Sequence, residues 1–454
     1  MPNDNPSATV ADLPGAEPLQ YESVQPATHF RWVILGLVFL GTTVNYLDRQ
    51  ILSILAPDLR DKYHLFTDAQ YGYIQGAFAL SYAIGQLISG RWIDWIGTRA
   101  GYAISLLAWS CMSMLHVLAR TAMGFGIVRV GLGVAESPNF PAAVKTIAEW
   151  FPKRERAIAM GVINTGVLLG AILVPVTVPF ITVHFGWRAA FIITGILGMS
   201  WLVLWLPIYR SPQDHPRVSA GELAHICSDP PEEPVKLRWI TLLGYPQAWA
   251  FMIGKLITDP LWWFYMTWFA NYLNRHHGLN LTKLGPPLFI IYLIASVGSM
   301  AGGWLSSAMI HRGWSVNTAR KTALLICAVI VTPMVFATRV QSVWMTVLLL
   351  GLAVAAHQGF SSNLYTLVSD LFPRAAVGSV SGLGGCCGYG ASFFTSILTG
   401  LVVERWTHQN YAVLFAIAGS GYLVAFLIIQ ILSPKLEPAN LSELSPPGIG
   451  VASA

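Results

Sequence analysis

Thr43-Val44-Asn45-Tyr46-Leu47-Asp48-Arg49-Gln50-Ile51-Leu52 sets a carboxylate beside a guanidinium inside an apolar run, and from Trp32 to Leu55 these are the only formal charges. A charge at the centre of a bilayer costs about 2.5–3.5 kcal/mol on insertion scales, so an ionisable residue there is a functional candidate by default. The competing reading is a mutually neutralised structural pair. Composition supports the bilayer: 54% of the 454 residues are hydrophobic and 11% charged, with a mean hydropathy of +0.55. Soluble domains carry about 25% charged residues.

Outward from that run, twelve apolar segments are long enough for a hydrocarbon core of about 30 Å. They fall near 31–57, 68–93, 100–119, 121–148, 157–183, 188–208, 246–273, 285–310, 320–338, 341–368, 376–403 and 411–433. The sequence therefore predicts an all-α polytopic membrane protein. Its parts are a flexible tail over 1–28, a six-helix half over 29–209, a linker over 210–245, a second six-helix half over 246–434 and a tail over 435–454. The first tail has no basic n-region or apolar core and does not read as a signal peptide. With both termini inside, fourteen basic residues fall in inner loops and eight in outer ones, which predicts cytoplasmic termini. The net charge of +5 is scattered, which argues against nucleic acid as a partner. The five cysteines show no metal-ligand spacing and read as packing residues.

The linker is rich in proline, at Pro212, Pro216, Pro230, Pro231 and Pro234, and Ser219 with Glu222 has the spacing of a capping box before a short surface helix. The halves repeat. Phe151-Pro152 lies ten residues before Gly161 and Phe372-Pro373 ten before Gly382, an offset of 221 at both positions. Internal repeats of this kind are used for alternating access around a midplane site.

Gly90-Arg91-Trp92-Ile93-Asp94-Trp95-Ile96-Gly97-Thr98-Arg99 resembles the signature inner loop of the major facilitator superfamily. Further stretches are similar to its anion:cation symporter family and to the hexuronate carriers within it: 45–50, 149–156, 258–265 and 356–364. The likeness spans about 30–436. It implies twelve helices in two pseudo-symmetric halves, with Gly90, Asp94, Gly97 and Arg99 gating the inner side. The chain departs from the pattern at Phe269-Ala270-Asn271, where the family has Leu-Pro-Lys, and so loses a kink and a cation from helix 7.

Arg129 and Glu136, seven residues apart, share a helical face that Asn139 extends, and Gln75 and Tyr82 are likewise seven apart. Polar stripes in helices 1, 2 and 4 predict a shared aqueous cavity. Arg49 offers a planar fork matched to a carboxylate. Asp48 and Glu136 suit proton coupling, since a carboxylate's affinity for protons depends on its exposure and neighbours, and the resemblance implies the same roles. Arg129 is expected to hold one of these carboxylates ionised. Tyr46, Tyr82, Gln75 and Asn164 are the expected substrate contacts of the first half, and His357, Ser361 and Asn363 those of the second. The 221 offset pairs His357 with Glu136, although a lone histidine in an apolar helix is more often a packing residue. Trp262, Trp263 and Tyr265 are candidates for stacking a sugar ring or for plain packing. Lys255 and Asp259, at i and i+4, read as a structural pair, and Gly382, Gly385 and Gly388 as sites of close helix approach.

The expectation is a monomeric, proton-coupled symporter in a bacterial inner membrane that imports a sugar-acid monoanion, a hexuronate or an aldonate. It needs no cofactor or metal beyond the coupling proton, and no nucleophile–base arrangement points to an enzyme. A drug or organic-anion exporter and a non-transporting nutrient sensor are the alternatives.

Overall fold

A computed structural model describes residues 28–229, 239–372, 374–405 and 411–436. Pro230, Pro231, Pro234, Lys236, Arg238 and Pro373, and nearly all of both tails, lie outside the described residues. The first half contains α1 (Phe30–Asp61), α2 (Asp68–Ile96), α3 (Thr98–Leu115), α4 (Ala122–Glu136), α5 (Asn139–Trp150), α6 (Lys153–Phe185) and α7 (Trp187–Ile208). The linker holds α8 (Ala220–Ile226) and α9 (Trp239–Leu242). The second half contains α10 (Pro246–His277), α11 (Leu281–His311), α12 (Val316–Val331), α13 (Val343–Leu371), α14 (Arg374–Arg405) and α15 (Tyr411–Leu432).

Local chemistry sets the boundaries. Thr67 and Gln70 form a reciprocal capping box at the start of α2, and Gly97, at φ 86°, makes the turn into α3. The fourth crossing is broken at Ser137-Pro138, so α4 and α5 together make one span and α12 is prolonged by a 3₁₀ turn over Thr332–Arg339. The result is twelve crossings, as expected. Among the described residues, nine helices are long and apolar enough to cross a membrane by length and composition alone. The crossings that fall short are α2, α4 with α5, and α10. α4 and α5 fall short because the break leaves 15 and 12 residues in each, whereas α2 and α10 carry polar and aromatic residues at the centre of the molecule.

The surface helix after Ser219 forms, with the Ser219 side chain accepting from the Glu222 N–H. The second bond of the box does not. Instead the Glu222 carboxylate leaves its own helix and accepts from the N–H groups of Phe30 and Arg31 and from the Arg31 guanidinium, capping the start of α1. Burial opposes ionisation of Glu222, but donors from Thr28, Arg31 and Phe30 outweigh it and hold its carboxyl below the usual range. The anchor is therefore complete above the ordinary glutamate pKa and is lost only as the pH falls through the lowered one.

The halves meet chiefly where α2 runs along α14 and α6 along α11. At the end of the molecule remote from the start of α1, called the far end here, a Cβ on Gly72 would lie 2.6 Å from the Ser396 carbonyl and 2.9 Å from Gly400 Cα, and one on Gly76 would lie 3.1 Å from the Phe393 carbonyl. Midway along, Tyr82 and Tyr389 touch with ring centroids 4.6 Å apart. Toward the near end, Gly90 on α2 and Gly382 and Gly385 on α14 face open space. The two helices diverge like a V, so close approach, expected at Gly382 and Gly385, occurs among the three only at Gly388. Polar ties reinforce the closed end: Arg60 bonds Asp68 at 2.7 Å, Asn271 donates to Asp68 at 2.9 Å, and Arg275 also reaches Asp68. Glu404 accepts from Thr67 and from the Ala69 N–H, each at 2.6 Å. The departure at 269–271 therefore falls in this tie and not at the centre.

Gly400→Val should wedge the far-end crossing, because its Cβ would lie 2.6 Å from the Asp68 carbonyl. A Thr267→Cys reporter below the tie should then react several-fold faster with a membrane-impermeant thiol reagent applied from the far side. Unchanged labelling would show that this crossing is not the seal.

Candidate substrate site

The centre of the molecule is built on α1. Arg49 Nε donates to Glu136 Oε2 on α4 at 2.9 Å, and its Nη2 to Asn45 Oδ1 at 3.4 Å. The guanidinium carbon lies 4.7 Å from the Tyr46 ring centroid, 4.6 Å from Tyr82 and 5.4 Å from Phe78. Three aromatic faces thus shield a cation that is only 6% exposed. One fork edge is committed to Glu136 through a single bond, and Glu136 Oε1 has no protein partner. A carboxylate arriving at Arg49 competes with one hydrogen bond, not with a full bidentate clamp.

Asp48 points elsewhere. Consecutive helical residues are turned by about 100°, and Asp48 Oδ1 accepts from Ser113 Oγ on α3 at 3.0 Å while Oδ2 is unpartnered. The adjacent charges of α1 are therefore not a mutually neutralised pair. Arg129, expected beside a carboxylate, donates with Nη1 and Nη2 to the Arg49 backbone carbonyl at 3.1 and 3.2 Å, fixing the α1 backbone under the guanidinium. Asn139 does not prolong the Arg129–Glu136 face, because the break at Ser137-Pro138 turns it toward Tyr102, whose hydroxyl it accepts at 2.7 Å.

A narrow cavity lies against Arg49. The first half lines it with Tyr46, Arg49, Gln50, Ser53 and Gln75, and the second with Trp262, Trp263, Met266, Thr267 and Tyr389. Gln75 donates to Ser53 Oγ and to Tyr71 OH, and Tyr292 OH donates to Gln50 across the halves. Trp263 stacks on Phe78 at 5.5 Å, and its indole N–H is buried without a partner. Of the second-half candidates, His357 is buried behind the wall, 2.6 Å from Tyr422 OH and flat against Trp262 at 4.8 Å. Asn363 donates to the Gly302 and Gly359 carbonyls, tying α13 to α11. Ser361 is half-buried and Asn164 exposed on α6. Near the near end, Asp94 pairs with Lys145 of its own half at 2.7 Å, Arg99 donates to the Leu206 carbonyl, and Gly90 and Gly97 have open space around them.

Gln50, Ser53, Met266, Thr267 and Tyr389 escaped the sequence reading. For Gln50 and Ser53 a signal existed, since Tyr46, Arg49, Gln50 and Ser53 recur at three- and four-residue spacing.

The Major Facilitator Superfamily profile matches residues 38–396. The chain belongs to that family. It is a multi-pass membrane transporter of this superfamily and not an enzyme. The hexuronate transporter of Escherichia coli K12 is 29% identical over 424 residues, covering 92% of this chain and 98% of the relative. A protein of the same organism named "Probable galactarate/D-glucarate transporter GarP" is 29% identical over 419 residues, covering 88% and 94%. The crystal structure of a D-xylose-proton symporter superposes with a TM-score of 0.72 at 16% identity over 90% of this chain and 99% of that one, a likeness of fold.

Lysine in place of Arg49 keeps the charge but loses the planar fork and its second donor edge. Arg49→Lys should weaken binding of a carboxylate substrate tenfold or more by calorimetry on the purified protein. Wild-type affinity in that variant would remove Arg49 from direct contact.

Proposed function

We propose that the protein imports sugar-acid anions together with protons across a bacterial inner membrane by alternating access. The observation that carries this reading is a buried arginine, shared between one carboxylate and three aromatic faces, at the edge of a cavity whose walls come from both halves. The names of the curated relatives support the substrate class. The excess of basic residues in the loops on the near side supports a cytoplasmic near side, and on that orientation the V opens inward.

Both halves supply what a sugar acid needs. Arg49 takes the carboxylate, Gln50, Ser53 and Gln75 answer hydroxyls, and Trp262 and Trp263 offer faces to the ring. Substrate binding at Arg49 displaces Glu136. A displaced carboxylate loses its counter-ion, and once the cavity closes an uncompensated buried charge is penalised by several kcal/mol, so protonation accompanies binding and closure. Asp48, turned about 100° from Arg49 around α1 and accepting from Ser113, is the second proton carrier. Asp94, with Gly90, Gly97 and Arg99, acts when the near end closes. In the open-inward state Asp94 is parked on Lys145.

One proton carried with a monoanion moves no net charge, whereas two move one positive charge inward, worth about 2.3 kcal/mol per 100 mV. Glu136→Gln and Asp48→Asn should each abolish concentrative uptake of galacturonate, glucuronate or galactonate into proteoliposomes under an imposed pH gradient. At least one of them should still exchange internal for external substrate at equal concentrations, because exchange requires no net proton return. Concentrative uptake by both variants would remove these carboxylates from coupling. Saturable binding without counterflow in the wild type would contradict transport itself.

A further inference from the structure

Two orphaned polar atoms flank Arg49, and they are complementary. A guanidinium has donors and no acceptor, so the Asn45 amide meets it oxygen first, with Oδ1 3.4 Å from Nη2. That orientation leaves Asn45 Nδ2, a donor, buried without a partner, just as Glu136 Oε1, an acceptor, is buried without one. Both residues are 0% exposed. Glu136 Oε2 takes Nε and Asn45 Oδ1 takes Nη2, two nitrogens bonded to one carbon. The acid and the amide therefore stand beside each other, each held by the same cation.

Of these three residues only Arg49 lines the cavity. A ligand carboxylate entering there meets the guanidinium, while Asn45 and Glu136 lie behind it. When the ligand takes Arg49, the two lose their shared donor together. A neutral carboxylic acid and a primary amide are matched partners: the acid O–H donates to the amide oxygen, and an amide N–H donates to the acid carbonyl. This ring of two bonds uses both orphaned atoms. An ionised carboxylate cannot close it, having no proton to give to Oδ1, so the amide stabilises the protonated acid specifically.

The other charged and titratable groups facing Glu136 are Tyr46 and Asp48 on α1 and Arg129 on its own helix, and Tyr82 and Tyr389 face Arg49 from α2 and α14. Arg129 is the rival cation for a displaced Glu136. Both its Nη groups are committed to the Arg49 carbonyl, which leaves only Nε unpartnered.

We propose that Asn45 is a positioning residue for proton coupling: as a substrate carboxylate takes Arg49, Glu136 takes a proton from bulk solvent and pairs through it with Asn45. The proposal rests on the exchange at Arg49 and names the partner that Glu136 has after it. The guanidinium N–H groups pass from Glu136 and Asn45 to the ligand, one proton enters, and no buried charge is left without a counter-ion.

The test combines infrared difference spectroscopy with calorimetry in buffers of different ionisation enthalpy. It uses the purified full-length protein and whichever of galacturonate, glucuronate and galactonate binds most tightly, for the wild type, Glu136→Gln and Asn45→Leu, with thermal unfolding to confirm that each variant is folded. In the wild type, ligand should raise the carbonyl band of a protonated acid at the lowered frequency of a hydrogen-bonded one, and Glu136→Gln should abolish it. In Asn45→Leu the band should move up to the frequency of an unpaired acid. The pH at which proton uptake per ligand falls to half should drop in that variant by about one unit, a tenfold loss of proton affinity. If Asn45 only orients Arg49, ligand affinity falls in Asn45→Leu while the band and the half-point stay in place, which overturns the proposal and leaves the exchange standing. A wild-type band at the unpaired frequency has the same meaning and needs no Asn45 variant. Ligand binding with neither an acid band nor proton uptake, as when ionised Glu136 passes to Arg129, overturns the exchange as well.

Discussion

Everything at the centre of this molecule depends on the cost of keeping Arg49 charged inside a membrane domain. The cation is 6% exposed, and it is stabilised by one carboxylate bond, one amide bond and three aromatic faces. None of these fully occupies the guanidinium, which has five N–H donors. The site is therefore satisfied enough to fold and unsatisfied enough to bind. The unpaired Glu136 Oε1 and the single Arg49–Glu136 hydrogen bond are the structural signs of that balance. In the proposed mechanism an arriving anion and Glu136 compete for the same cation, which would tie substrate occupancy to the charge state of the acid.

The frame closes this centre off at the far end and leaves α2 and α14 apart at the near end. Glycines at 72, 76 and 400 bring α2 and α14 backbone to backbone at the far end, while those at 90, 382 and 385 have nothing against them. The polar tie around Asp68 holds the closed end, and Gln50, Tyr292 and Tyr82–Tyr389 join the halves at the depth of the site. At the near end the linker helix caps α1 through Glu222, linking the segment between the halves to the helix that bears Arg49.

Much of this was legible in sequence, for identifiable reasons. The twelve crossings were readable because hydropathy over some twenty residues is a strong signal, and only the crossing broken at Ser137-Pro138 hid its interruption. Arg49 and Glu136 stood out because charge in an apolar run is conspicuous. Rotation about a helix axis was harder to judge. Asp48 and Arg49 are adjacent in the chain yet serve α3 and α4 respectively, and Arg129 found a backbone carbonyl, a partner that leaves no trace in composition. His357 and Asn363 look like ligands in a polar stripe, but pack against Trp262 and against α11. Tyr389 was invisible because its importance comes entirely from where α14 crosses α2.

The central claim is an exchange: substrate carboxylate for Glu136 at Arg49, with a proton taken up as Glu136 is released. It is tested most directly by measuring the heat of sugar-acid binding to the purified protein at neutral pH in buffers of different ionisation enthalpy, which counts the protons bound with the ligand. The account predicts uptake of about one proton per carboxylate bound at Arg49 in the wild type, and none through this site in Glu136→Gln. Tight binding with no proton uptake in the wild type would contradict it.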